Sequence, residues 1–300
     1  MTLSVKLDLS FIEDILSYLK NLDPEGLKAI TLHEAANGVY RHARRFRNTD
    51  KEITGFWTQI LSESNKNQDF ENVYGCYKYI IENHGRFSEA YRELEHYLPI
   101  GHFHSTLYAM IGYDIGIVFD GNAFLNLGHP TFGNKNELVY FAMHELHHAV
   151  YTQIHPLYSL DELETTDDLA RIIKYSTHLE GLAVYCSYSM RKRENQFTHY
   201  DYVTLNDPEK TQETVDRFYK ILSRVENESS RALVDEDYSI LDVMSGGERL
   251  WYVTGAYMAG LIDEMLGRDA LNETIIKGPD SFFKNYKSCL KIQNSGRYYY

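Results

Sequence analysis

The chain has few cysteines and no long uninterrupted apolar segment. Its three cysteines, Cys76, Cys186 and Cys289, are widely spaced and form no Cys-x-x-Cys pair. An odd number of isolated cysteines is typical of reduced thiols and favours a cytoplasmic location. No apolar run approaches the ~20 residues that a membrane-spanning helix needs, and residues 1–6 lack the basic and apolar regions of a signal peptide. We therefore expect a cytoplasmic protein.

Basic residues are also in the minority. Lys and Arg total 30 against 43 Asp and Glu, which gives a net charge of −13. Proteins that bind nucleic acid present clustered Lys and Arg, and anionic membrane surfaces attract the same residues. The charge balance therefore predicts no nucleic-acid partner and no membrane partner.

No internal repeat or long low-complexity linker is found, and 43% hydrophobic content over 300 residues is enough to bury a full core. Residues 1–98 are predicted to be an N-terminal helical region, because apolar residues recur there at helical spacing. The expected helices lie at 10–22, 25–46, 53–62, 70–82 and 88–98. Residues 99–300 are predicted to form a second region, although both regions could belong to one continuous domain.

After Pro99 the pattern changes to short β-prone runs separated by glycines, at 106–112, 115–119 and 123–127. Such runs predict a small twisted antiparallel sheet. Helical patterns return later in the chain, at about 134–153, 168–191, 209–226, 248–266 and 281–291, with an acidic connector at 235–237. The predicted fold class is therefore mainly α with a small antiparallel β-sheet, an α+β arrangement.

The most informative motif is His-Glu-Leu-His-His at residues 144–148, which fits the pattern His-Glu-x-x-His. Residues four apart share one face of an α-helix, so His144 and His148 could reach the same metal ion. Two imidazoles and one carboxylate suit zinc and leave a fourth position open to water, whose proton Glu145 would accept. The motif predicts one Zn2+ per chain and hydrolytic chemistry.

The sequence around the motif favours a well-formed helix. Asn134 is a suitable N-cap, and Glu137 three residues later is its capping-box partner. Pro156 is expected to close the helix soon after Gln153. Apolar residues recur at steps of three and four through this run, namely Leu138, Phe141, Ala142, Leu146, Ala149 and Val150.

A third metal ligand is expected from the helix at 168–191, and Glu180 is the favoured candidate. It lies among apolar neighbours, where an unpaired carboxylate is costly and a cation partner is expected. Gly181 is unfavourable within a helix unless another backbone or the metal site approaches it closely. Asp167 and Asp168 are the rival ligands, but they fall where acids favour a helix N-terminus in any case.

The two motifs together, His-Glu-x-x-His followed by Glu-Gly-Leu-Ala on a second helix, resemble those of the gluzincin metallopeptidases. The layout of residues 105–267 resembles a family of bacterial zinc-dependent peptidases, with a glycine-rich strand region before the motif helix and a helix rich in Tyr and Gly late in the chain. The resemblance implies a zincin-like fold, His144, His148 and Glu180 as zinc ligands, and Glu145 as general base. The 31 residues between His148 and Glu180 exceed the usual spacing, and an inserted loop at 151–166 would explain the difference.

A peptide or protein substrate is expected, because zinc peptidases bind extended peptides along an exposed edge strand. Residues 121–128 are the predicted edge, with Asn122 and Asn126 on one face. Hydrolysis of an amide builds negative charge on the carbonyl oxygen, which a Tyr, His or Arg side chain can stabilise. Tyr252 is the first candidate for this oxyanion role, and Tyr257 is the second.

Other interpretations of the same residues remain open. His178, two residues before Glu180, is a further candidate donor to the oxyanion. Glu93-x-x-His96 and Glu145-x-x-His148 form two Glu-x-x-His pairs, the signature of carboxylate-bridged di-iron bundles. The β-prone stretch at 101–133 interrupts such a bundle, and His144 would have no role in it. A non-catalytic zinc-binding or interaction protein of the same fold is the second alternative.

Overall fold

The structure is a computed structural model that describes residues 2–66, 70–158, 163–228 and 230–296. Helices account for most of these residues, and four strands form one sheet. The predicted fold class, mainly α with a small sheet before the motif helix, is confirmed. The chain divides into two compact units, Met1–Glu95 with Gly101–Gln153, and His96–Ile100 with Ile154–Tyr300.

The described residues of the first unit form the sheet and seven helices. The strands are β1 (Thr2–Asp8), β2 (His102–Met110), β3 (Gly116–Phe119) and β4 (Asn122–Asn126). The helices are α1 (Ser10–Asn21), α2 (Pro24–Leu32), α3 (Glu34–Phe46), α4 (Ile53–Lys66), α5 (Phe70–Glu82), α6 (His84–Glu95) and α7 (Asn136–Ile154). A short 3-10 turn at Pro130–Gly133 precedes α7. The three strands predicted after Pro99 are confirmed to within a few residues.

The helix predicted over 25–46 is two helices, because the helical conformation is interrupted at His33. The backbone of His33 is extended, and its Nδ1 accepts a hydrogen bond from the backbone N–H of Ala35 at 3.1 Å. This side chain therefore caps the start of α3. The indole Nε1–H of Trp57 donates to the backbone oxygen of Ala36 at 3.2 Å.

The sheet is mixed, whereas an antiparallel sheet was predicted. Its strand order is β1-β2-β4-β3, with β1 parallel to β2, β2 parallel to β4, and only β3 antiparallel to β4. Strand β1 was assigned to the helical region, although Leu3, Val5 and Leu7 alternate with polar residues at the period of a strand. Strand β1 pairs with β2, whose residues lie about a hundred positions later in the chain, so no local pattern indicates this partner.

The strand order also corrects the predicted edge. Strand β4, which falls within the predicted edge at 121–128, is an inner strand, and β3 is the outer strand on that side. Asn122 and Asn126 have structural roles, since their Oδ1 atoms accept hydrogen bonds from the backbone N–H groups of Thr106 and Gly112, both at 2.9 Å. These two asparagines hold the strand ends in place.

The described residues of the second unit form seven helices. They are α8 (Thr166–Glu194), α9 (Tyr200–Leu205), α10 (Pro208–Asn227), α11 (Asp235–Ser245), α12 (Leu250–Leu266), α13 (Arg268–Lys277) and α14 (Pro279–Gly296). Helices α9, α11 and α13 were not predicted from the sequence. No helix in the described part of the chain is long and apolar enough to cross a membrane.

The acidic stretch at 235–237 is the first turn of α11 and was wrongly predicted to be a connector. Asp237 accepts hydrogen bonds from the backbone N–H of Val234 at 2.9 Å and from Arg231 Nη1 at 2.6 Å. The hydrogen bond from the Arg231 guanidinium is the main reason that the pKa of Asp237 falls to about 2. Acids in a first helical turn are favoured by the helix dipole, so acidity did not distinguish a helix start from a loop.

Candidate metal centre

The two histidines of the motif lie together on α7. The helix begins as predicted, with the side chain of Asn134 accepting a hydrogen bond from the backbone N–H of Asn136 at 3.2 Å. The rings of His144 and His148 lie with their centroids 4.5 Å apart and nearly perpendicular. His148 is only 6% exposed, and His144 is half-buried. Helical geometry therefore brings both imidazoles to one place.

His147 lies between these residues in sequence but points elsewhere. It is completely buried, and its ring stacks against that of Tyr151 at a centroid distance of 6.4 Å. This placement agrees with a rotation of about 100° per residue around a helix. His147 helps to pack α7 rather than adding a ligand beside His144.

Glu145 lies against the outer strand of the sheet. Its side chain is only 5% exposed, and it faces the first residue of β3. A Cβ atom built on Gly116 would lie 2.5 Å from Oε1 of Glu145, closer than two such atoms can approach. The absent side chain of Gly116 therefore provides the space that the Glu145 carboxylate occupies.

Glu180 lies midway along α8, where α8 packs closely against α12. A Cβ atom on Gly181 would lie 2.3 Å from the Cα of Gly255, and one on Gly255 would lie 2.1 Å from the backbone oxygen of Thr177. Two glycines thus allow the two backbones to meet. This confirms the expectation that Gly181 marks the close approach of another backbone.

The rival ligand Asp168 has a different role in the structure. It forms a capping box with Thr165, accepting hydrogen bonds from the Thr165 backbone N–H at 2.9 Å and from its hydroxyl at 2.7 Å. These bonds, with the Thr165 hydroxyl first, lower the pKa of Asp168. Asp168 and its neighbour Asp167 lie at the start of α8, about 18 Å along the helix axis from Glu180.

Most of the residues between His148 and Glu180 are helical. Helix α7 continues past His148 to Ile154, and α8 starts at Thr166, well before Glu180. Only residues 155–165 connect the two helices, and residues 159–162 of this connection lie outside the described residues. The long separation between His148 and Glu180 therefore comes mainly from helical residues of α7 and α8, and less from the inserted loop predicted at 151–166.

Tyr252 lies in the first turn of α12, beneath the guanidinium of Arg249. The centre of the guanidinium is 3.6 Å from the centroid of the Tyr252 ring. Burial, together with the negative charge of Glu180, raises the pKa of Tyr252. The phenol therefore keeps its proton well above neutral pH, and the negative charge of Glu180 acts on it electrostatically.

Tyr257 and His178, the other oxyanion candidates, lie in different surroundings. Tyr257 lines a separate cavity of about 550 Å3, which Tyr97, Tyr185 and Tyr188 also line. His178 is completely buried, with Nε2 at 3.0 Å from the Thr274 hydroxyl, and burial lowers its pKa to about 3. The charge of Glu180 contributes to the raised pKa of Tyr252, which supports Tyr252 as the oxyanion candidate beside the proposed ligand.

One group of side chains in the described residues could hold a metal ion, and it consists of His144, His148 and Glu180. One ligand atom from each lies within 4.8 Å of the others. The donor set of two imidazoles and one carboxylate matches zinc sites that keep one position open. Neither Glu93 nor His96 joins such a group among the described residues, so the second half of a di-iron centre is not formed there.

Two residues near the candidate site were not singled out by the sequence. Gly116 appeared only as one of several glycines among the β-prone runs. The need for a glycine there depends on the position of the Glu145 side chain. Arg249 pairs with Asp201, 48 residues earlier, through Nε–Oδ1 and Nη2–Oδ2 contacts of 2.5 and 3.0 Å. Pairs so distant in sequence leave no local signal.

Comparison with known families gives one match, which covers nearly the whole chain. Residues 11–295 match the family described as "Putative zinc dependent peptidase (DUF5700)". Comparisons with curated proteins and with solved structures each gave no match. The family description agrees with the zinc ion and the peptide substrate that the two motifs predict.

Proposed function

The chain belongs to this family of zinc-dependent peptidases, and we propose that it hydrolyses peptide bonds with one zinc ion and a glutamate base. His144, His148 and Glu180 are the proposed ligands, and Glu145 is the proposed base. The observation that carries the proposal is the convergence of these three ligand atoms within 4.8 Å, with Glu145 next to His144 in the sequence. Retention of Glu145 favours catalysis, since metal binding alone does not require a base.

The donor set fits zinc chemically. Neutral imidazole and carboxylate are both common zinc ligands, and three protein ligands are typical of catalytic rather than structural zinc sites. A zinc ion bound there would act as a Lewis acid on the substrate carbonyl and would lower the pKa of water. The protein residues then have to place the water, the peptide and the developing charge.

Glu145 is suited to proton transfer by its position. Its carboxylate is almost buried and lies against the backbone of β3, which limits how far it can move. We propose that it accepts a proton as the water oxygen attacks the peptide carbonyl carbon. The same proton then goes to the leaving nitrogen as the C–N bond breaks, giving a carboxylic acid and an amine.

The outer edge of β3 is the proposed binding place for the peptide. Among the described strands, β3 pairs only with β4, so its other edge can pair with an extended chain. Because Gly116 on this strand lies against Glu145, a peptide bound along β3 would pass close to the proposed base. This replaces the edge at 121–128 that the sequence suggested.

Tyr252 is the proposed donor to the carbonyl oxygen as negative charge develops on it. A phenol held neutral by burial and by a nearby carboxylate can donate a hydrogen bond over the whole working pH range. Donors placed at a developing oxyanion are worth about 10²–10³-fold in kcat. The stacked Arg249 guanidinium restricts the rotation of the Tyr252 ring.

The proposal is tested by digestion of a mixed peptide library with zinc-loaded protein, read by mass spectrometry. We expect cleavage that a chelator abolishes and that added zinc restores. Glu145→Gln should keep about one zinc per chain but lower the rate by about 10²–10⁴-fold, because the amide cannot accept a proton. The exposed Glu89→Gln on α6 is the control and should leave the rate unchanged.

Two results would contradict this function. Peptides that remain uncut by fully zinc-loaded protein would favour a non-catalytic zinc-binding protein. Full activity in Glu145→Gln would exclude Glu145 as the base, even if the zinc content were normal.

A further inference from the structure

Arg249 is held in an unusual backbone conformation immediately before α12. Its φ and ψ angles are 49° and 47°, in the left-handed region that residues with a Cβ rarely adopt. Strained positions of this kind are common where a side chain must be aimed at a ligand. The side chain of Arg249 lies over the ring of Tyr252, the proposed oxyanion donor.

Asp201 fixes one side of the Arg249 guanidinium. The Nε–H donates to Oδ1 at 2.5 Å and Nη2 donates to Oδ2 at 3.0 Å, while the Asp201 side chain is only 2% exposed. A guanidinium has five N–H donors, and this pair uses two of them. Among the described residues no acceptor takes the two hydrogens of Nη1, and the Arg249 side chain is 28% exposed.

The remaining donors form a second fork. Both hydrogens of Nη1 and one of Nη2 point away from Asp201 in the plane of the guanidinium, and two of them can bind both oxygens of another carboxylate. Stacking on Tyr252 covers one face of that plane and keeps it from turning. The fork is therefore fixed in direction before any ligand arrives.

Helix packing places Arg249 in the same part of the second unit as the proposed ligand, because Gly181, next to Glu180, meets Gly255 of α12, six residues after Arg249. Burial alone would lower the pKa of Arg249, but the charge and hydrogen bonds of Asp201 raise it, with smaller contributions from Tyr252 and Glu180. Arg249 therefore stays protonated at every working pH, within reach of the charge of Glu180. A cation that is fixed, partly exposed and close to the reaction site can recognise an anionic group on the substrate.

We propose that Arg249 binds the free C-terminal carboxylate of the peptide substrate. The enzyme would then remove one residue or a short fragment from the C-terminus of a peptide, rather than cut at internal positions. This inference rests on the proposed peptidase function for the cleavage step, but binding of the carboxylate can be measured separately. Because the protein carries a net charge of −13, binding of an anionic group needs such a dedicated cation.

The first test measures binding without cleavage. Zinc-loaded Glu145→Gln protein is titrated by calorimetry with pairs of short peptides identical except for a C-terminal carboxylate or amide. Charge-assisted bidentate hydrogen bonds should make the carboxylate form bind about 10–100-fold more tightly. Equal affinity for the two forms would overturn the proposal, whether or not the unmodified protein cleaves any peptide.

The second test uses the active protein and two matched arginine variants. Arg268 resembles Arg249, since it forms a two-point pair with Asp263 and lies 3.9 Å from the centroid of the Tyr97 ring, outside the proposed site. Arg249→Lys should raise KM for carboxylate peptides about 10-fold or more and bring their kcat/KM close to that of the amides. Arg268→Lys should leave this ratio unchanged.

The variants separate recognition from folding. A purely structural role for Arg249 would lower the rates for the carboxylate and amide peptides by the same factor, and that outcome would overturn the proposal. Cleavage at internal positions, independent of distance from the C-terminus, would overturn it while leaving the peptidase function intact. Absence of any cleavage would contradict the peptidase function, and the binding titration would still decide the role of Arg249.

Discussion

Two glycines lie beside the two glutamates of the candidate site, and they leave space for different things. At Gly116 an added methyl group would meet the end of the Glu145 side chain, at 2.5 Å from Oε1. At Gly181, next to Glu180, it would meet the backbone of α12, at 2.3 Å from the Cα of Gly255. The first space is occupied by a side chain, and the second by the backbone of another helix.

This difference separates two requirements of one site. Gly116 affects where the proposed base lies, while the strand around it keeps its pairing with β4 whether or not a methyl group is present. Gly181 affects how closely α8 and α12 pack, and this distance sets the positions of Glu180 and Tyr252 together. The same Gly→Ala change should therefore impair catalysis at one position and stability at the other.

Removing Glu180 should have the largest effect, because the proposed zinc site then loses one of three ligands. We expect Glu180→Ala to lower zinc affinity by well over the ~10–100-fold typical of residues that only support a ligand. Metal analysis after dialysis and competition with a chelator would measure this. Asp168→Ala should keep its zinc and lose only the modest stability that its helix cap contributes; loss of zinc in that variant instead would reassign the third ligand.

Gly116→Ala should lower activity while zinc content and stability stay close to normal. The methyl group would push the Glu145 carboxylate aside, and a displacement of about 1 Å in a reacting group costs roughly 10²-fold in rate. Peptide cleavage, zinc content and thermal unfolding should be measured on the same preparation. Gly133→Ala is the control, since nothing lies within 4 Å of the added atom. A marked fall in melting temperature at Gly116 would show that the strand, and not Glu145, requires the glycine.

Tyr252→Phe tests whether the α8–α12 contact places a catalytic group as well as a ligand. If the hydroxyl donates to the oxyanion, kcat should fall on the order of 10–10³-fold with little change in zinc content. Tyr257→Phe, in the separate tyrosine-lined cavity, is the matched control and should have little effect on kcat. Equal rates for Tyr252→Phe and the unmodified protein would reduce Tyr252 to a packing role.

Gly181→Ala should act mainly on stability. Overpacking a close contact typically costs about 1–3 kcal/mol, and the displaced α8 should also weaken zinc binding through Glu180. Chemical unfolding with and without zinc would measure both effects. Gly85→Ala in the exposed part of α6 is the control, because its added methyl group meets nothing within 4 Å. Unchanged stability in Gly181→Ala would mean that α8 and α12 can move apart to accommodate the methyl group without loss of stability.

The sequence predicted well whatever depends on local pattern. Asn134 caps the start of α7 as indicated, and α5 has the predicted bounds of 70–82, because caps and helical periodicity lie within the segment itself. The requirement for a close backbone near Gly181 could also be inferred, since glycine within a helix calls for a reason.

Several features that the sequence did not predict depend on partners far along the chain. Strand β1 has a clear period-two pattern, but its role follows only from parallel pairing with β2, as in the contact of Val5 with Ser105. The outer position of β3 depends on the order of the strands, which a run of β-prone residues does not encode. The pairing of Arg249 with Asp201 likewise depends on how α9 packs, and α9 itself is only six residues long.

The start of α8 is anchored, so insertions and deletions between this anchor and Glu180 would change the position of the Glu180 carboxylate. Thr165 and Asp168 cap the helix, and Thr165 also forms a β-bridge with Ala232, so this end is fixed. Each residue inserted between this point and Glu180 would turn the carboxylate by about 100° around the axis of α8. In relatives the segment from Thr165 to Glu180 should therefore keep its length or change it only by whole turns.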